Sequence, residues 1–141
     1  MRTTSATAGA PPNQPEDTPY GLVTDLTVSG GTYSVVAMIG GAASIYLGSG
    51  GGYIGGGEGH EAIKRAAMNA VEVARGVANQ MRATRDYPLP RPGYVQFYVL
   101  TRAGVTSASI AETALRNPSQ PLSGLYEAVQ DVITQYRLIN T

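Results

Sequence analysis

From Tyr20 onward, apolar and polar residues alternate with the two-residue period of a half-buried strand. In Gly21–Val28, Leu22, Leu26 and Val28 share one face with Thr24, while Val23, Asp25 and Thr27 take the other. Gly30-Gly31 then supplies a hairpin turn, because adjacent glycines accept positive φ without a steric cost. Tyr33–Ile39 reads as a second strand, Gly40-Gly41 as a second turn and Ala42–Leu47 as a third strand. The first third of the chain therefore predicts a three-stranded meander.

The period changes at His60. Ile63, Ala66, Ala67, Ala70, Val73, Ala74, Val77, Ala78 and Met81 recur at steps of three and four, which predicts an amphipathic helix over His60–Arg82. Its alanine-rich stripe suits close approach to a sheet. Glu58 and Glu61 fall at the positive end of the helix dipole, Arg82 and Arg85 at the negative end, and Glu61 is spaced to pair with Arg65. Pro88, Pro90 and Pro92 bar further helix and keep the next stretch extended. Tyr94–Thr101 is apolar on both faces, as a central strand is, and Arg102-Ala103-Gly104 turns the chain into a fifth strand, Val105–Ala111. A final helix over Leu122–Ile139 is expected to bury Leu122, Leu125, Tyr126, Val129, Val132, Ile133 and Tyr136. The expected fold is α+β: a mainly antiparallel five-stranded sheet in the order β-β-β-α-β-β-α, with both helices on one face.

Residues 1–19 contain four prolines and no large apolar side chain after Met1, so they read as a disordered tail ahead of a single domain at 20–141. The tail lacks the apolar stretch of a secretory signal, which makes the cytoplasm the expected compartment. Nine arginines against one lysine fit the codon usage of a GC-rich bacterial genome.

Composition narrows the chemistry. There is no cysteine, hence no disulfide scaffold, thiolate metal site or cysteine nucleophile. Ten basic residues balance ten acidic ones, and a neutral chain lacks the basic footprint of a nucleic-acid binder. No apolar run reaches the roughly 18 residues that would span a bilayer.

Eight of the eighteen glycines lie between Gly48 and Gly59, where a strand leads into a helix N-terminus. Exposed backbone N–H groups at such a point bind anions, so Gly55, Gly56, Gly57, Glu58 and His60 form a candidate site for a small anionic ligand or phosphate. Gly50–Gly55 matches G-x-G-x-x-G, but a run this rich in glycine meets the pattern by chance, and no G-x-x-x-x-G-K-[ST] follows. The other reading is packing, with Tyr53 and Ile54 seated in the core.

No complete catalytic set emerges, and no metal or cofactor is expected. His60 is the only histidine, and a metal site wants three or four ligands. The β-β-β-α opening resembles the ribonuclease-H-like topology, whose paired metals need acidic residues on the first and fourth strands. Asp25 is on the first strand, Tyr94–Thr101 carries no acid, and Asp25 is instead expected to face solvent. A serine hydrolase is unsupported as well, because Ser49 lies in Gly48-Ser49-Gly50 and G-x-S-x-G is absent.

The tyrosines point elsewhere. With both helices on one face, the opposite face presents Val36, Met38, Tyr46, Tyr94, Tyr98 and Leu100. An apolar, tyrosine-rich surface of that kind is what proteins use to meet one another. The leading expectation is a small non-catalytic assembly module that associates with itself or with a larger protein. Anion binding at the glycine loop is the alternative.

Overall fold

The computed structural model describes residues 18–28, 31–47, 52–54, 60–88 and 90–139. Strand β1 (Gly21–Val28) pairs antiparallel with β2 (Gly31–Met38), Val28 opposite Gly31 and Gly21 opposite Met38. That register leaves residues 29 and 30 between the strands, so Gly31 opens β2 instead of lying in the turn. At the next reversal, Met38 N–H donates to the Ala42 carbonyl and Gly41 N–H to the Met38 carbonyl, both at 2.9 Å. Gly41 holds φ at +98°, and the Lys64 side chain fills the space a Cβ would need there. No other residue type meets both conditions without strain.

Strand β3 (Ala43–Leu47) follows, and β4 (Gly52–Ile54) pairs with it. The glycine-rich segment was expected to be loop throughout. Three of its residues instead complete the ladder along β3, whose backbone groups would otherwise be an open edge. Helix α1 (Glu61–Val77) then carries the chain to the opposite edge of the sheet.

The helical period in the sequence runs on to Arg82, but the helix stops at Val77 and a 3₁₀ turn spans Ala78–Gln80. Arg82–Thr84 forms β5, hydrogen-bonded along Ser107–Val105. Pairing with an otherwise bare strand outweighs one further helical turn. The basic residue at the negative end of α1 is consequently Arg75, while Arg82 lies in the sheet. The Glu61–Arg65 pair forms as spaced, at 3.5 Å, between two exposed side chains.

Strands β6 (Tyr94–Thr101) and β7 (Gly104–Ala111), the single turn α2 (Glu112–Leu115) and helix α3 (Ser123–Ile139) complete the chain. The five long strands are those expected. Among the described residues the sheet nevertheless has seven, in the spatial order β4-β3-β2-β1-β6-β7-β5 with every pair antiparallel. Among the described residues the sequence of elements is β-β-β-β-α-β-β-β-α-α, not β-β-β-α-β-β-α. The fourth strand before α1 also separates this chain from a β-β-β-α opening.

One face of the sheet carries the main core. Leu22, Val35, Ile45, Val95, Phe97 and Val99 meet Ile63, Ala67 and Ala70 of α1 and Leu125, Val129 and Val132 of α3. The small alanines let α1 sit close to both α3 and the sheet. Each fully buried Phe, Leu or Val here contributes about 1.5–3 kcal/mol. Tyr136 ties α3 to the sheet by donating its hydroxyl to the Ala43 carbonyl at 2.6 Å.

Candidate interaction surface

The strand order leaves the chain a topological problem on the other face. β5 lies outside β7, whereas β6, next in sequence, lies inside it. The connection over residues 85–93 must therefore pass β7 to reach β6, and it does so across the face away from the helices. Alternation places Val23, Asp25 and Thr27 of β1 on that face, with Tyr94, Gln96, Tyr98 and Leu100 of β6. Tyr98 donates its hydroxyl to the Pro88 carbonyl at 2.7 Å, and Thr27 Oγ1 donates to the Pro90 carbonyl at 3.3 Å. Tyr87 packs on Tyr98 with ring centroids 5.5 Å apart, and the Arg91 guanidinium lies 4.2 Å from the Tyr94 ring centroid.

This proline-rich strap explains a second, smaller core. Val23, Tyr98 and Val105 are buried together, with Val36, Tyr87 and Leu100 packed around them. At the same end of the face, Gly21 lies between Met38 and Leu100 in register. A Cβ at Gly21 would come within 2.9 Å of Met38 Sδ and 3.1 Å of Leu100 Cδ1. The two side chains thus close over the space glycine leaves.

Across the middle runs a polar row: Tyr46, Ser34, Asp25, Gln96 and Ser109. Asp25 was expected to face solvent, yet it is fully buried. Ser34 Oγ donates to Asp25 Oδ1 at 2.6 Å, one of the hydrogen bonds that a buried carboxylate requires. A serine–aspartate contact without a histidine lacks the base that would activate the hydroxyl. His60 stands exposed ahead of α1, on the other side of the sheet.

The six residues expected on this face are distributed unevenly. Tyr46 is 42% exposed, and Val36, Met38, Tyr94 and Leu100 are half-buried. Tyr98 is only 1% exposed, because the strap of the same chain covers it. The remaining open ground therefore centres on β2 and β3. Alternating prolines spaced from two strand hydroxyls, Thr27 and Tyr98, are the sequence signal for the strap, which hydrophobic periodicity passes over.

Of the anion-site residues, Gly55, Gly56, Gly57 and Glu58 lie outside the described residues, as do the side chains of Tyr53 and Ile54. His60 is the N-cap of α1, in extended conformation and without a side-chain capping bond. Among the described residues no group of three or more His, Asp or Glu is placed to hold a metal ion. No helix among them is long and apolar enough to cross a membrane.

Two further features lie apart from this face. A cleft of about 560 Å³ opens between the end of α1 and the β6–β7 turn, lined by Arg75, Asn79, Thr101 and Thr106 among others. At the start of α3, Tyr126 donates to Glu112 Oε2 at 2.8 Å, and Arg116 pairs with the same carboxylate at 3.1 Å. Burial, and then the hydrogen bond to Glu112, push the Tyr126 phenol up to about 12. Comparison with protein-family models, with curated proteins and with solved structures finds no match in any of the three.

Proposed function

We propose that this protein is a small non-catalytic assembly module that meets a second copy of itself through the sheet face opposite its helices. The observation that carries this reading is the β2–β3 part of that face, where Tyr46 is exposed beside half-buried Val36 and Met38 with none of the described helices over them. Tyrosine and methionine give contact area at low entropic cost and are enriched where proteins meet. The chain carries no net charge, so two copies approach without long-range repulsion. A C2 contact would set the same patch against itself.

Sedimentation velocity over a wide concentration range tests the reading. Wild type is expected to associate reversibly, and Tyr46→Glu, which sets a carboxylate in the contact, to weaken association by about tenfold or more. A wild type that stays monomeric throughout, or a Tyr46→Glu variant that associates like wild type, would overturn it.

A further inference from the structure

We infer that the proline strap over residues 85–93 competes with the second copy for the sheet face, so that its opening sets the strength of self-association. The inference rests on the assembly reading above. At about 4.8 Å between strands and 3.3 Å per residue, β2 and β3 alone offer a footprint on the order of 200 Å². Stable contacts bury about 800 Å² on each partner. The face of all five long strands comes to roughly 600 Å² before side-chain relief is added. With the strap closed the open ground supports only a weak contact. With the strap lifted, the apolar cluster of Val23, Tyr98, Val105 and Leu100 joins the surface.

The strap is built to lift. Pro88, Pro90 and Pro92 have no N–H, so at those positions it donates nothing to the sheet. Over the sheet face two side-chain hydroxyls tie its carbonyls, Tyr98 to Pro88 and Thr27 to Pro90, and its far end is anchored where Glu112 N–H donates to the Gly93 carbonyl at 2.9 Å. Its near end leaves β5 through a local turn in which Asp86 N–H donates to Thr84 Oγ1 at 3.1 Å. Apparent affinity for the second copy then scales with the fraction of molecules whose strap is open.

Tyr98→Phe and Thr27→Val each delete one tie while keeping the shape of the packed side chain. Strap opening is read by tryptic cleavage after exposed Arg85, since the Arg91-Pro92 bond resists the protease. Association is read by sedimentation velocity, with Tyr46→Glu alongside. Each release variant is expected to be cut faster than wild type and to associate more tightly, by about three- to tenfold per hydrogen bond lost. Faster cleavage with unchanged or weaker association would overturn the competition. So would cleavage no faster than wild type in both variants, because the hydroxyls would then not hold the strap. If the release variants match wild type while Tyr46→Glu still weakens association, the strap inference falls and the assembly reading stands. If no variant associates at any concentration, both fall. Tighter association in the release variants that Tyr46→Glu abolishes supports both.

Discussion

Thr24 sits at the centre of β1 on the helix-covered face, with Val35 and Phe97 opposite it in register and Leu22 and Leu26 two residues away. It is fully buried, and its hydroxyl has no hydrogen-bond partner among the described residues. A hydroxyl taken out of water without compensation costs about 1–3 kcal/mol in proteins. Valine keeps the β-branched shape and replaces that hydroxyl with a methyl, whose burial contributes about 0.8 kcal/mol. Thr24→Val is therefore expected to stabilise the fold by about 1–2 kcal/mol, since the group it removes has nothing to lose. For a chain of this size that is a rise in Tm of about 4–8 °C. Thr24→Ser is the control: it keeps the hydroxyl and deletes the methyl, and should destabilise by about 1 kcal/mol. Paired urea and thermal melts measure both. A Thr24→Val variant less stable than wild type would refute the reasoning, because it would mean that the hydroxyl is satisfied and the layer between β1 and the helices is wet.

Two further predictions use local geometry. Gly41→Ala, which meets both a positive φ and the Lys64 side chain, should cost about 1–3 kcal/mol in a urea melt. Gly76→Ala on the exposed side of α1 has open space for its Cβ and should instead add about 0.5–1 kcal/mol. The Tyr126 phenol, raised to about 12 from 10.0 when folded, holds its proton longer in the native state than in the unfolded one. Its contribution is fully present below pH 10 and is lost as pH rises towards 12. Tyr126→Phe should flatten the fall in stability over that window, and a phenolate absorbance titration should lose one step near pH 12.

Most of the sheet was legible in the sequence because alternation is a local signal. The span of β6 and the one-sided burial of Leu125, Val129 and Val132 on α3 follow directly from period two and period 3.6. What escaped are the places where a distant strand decides. Ala78–Thr84 has helical spacing, but the bare edge of β7 takes Arg82–Thr84 as a partner, and nothing local announces β7. Gly52–Ile54 is three residues long within a glycine-rich run, too short to show alternation, and it pairs with β3. The candidate surface divides in the same way. Alternation assigns Val36, Met38, Tyr46, Tyr94, Tyr98 and Leu100 to one face, yet it cannot register that the chain itself crosses that face and buries Tyr98.

Strands that are apolar on both faces oblige the fold to find two covers. The helices provide one, and an alanine-rich α1 can lie flat enough to serve both the sheet and α3. Among the described residues, the connection from β5 to β6 is what crosses the other face, and its prolines exclude helix there. A strap of that length spans β7, β6 and β1 and ends at Tyr94, so β2 and β3 are beyond its reach. Among the described elements, topology thus leaves β2 and β3 as the uncovered ground. A sequence selected only to stand alone would place charge there, as it does along α1 with Glu61, Lys64, Arg65 and Glu72. It places Val36, Met38, Ser44 and Tyr46 instead. That choice, at the part of the sheet that no described element covers, is the physical ground for proposing β2 and β3 as the contact surface.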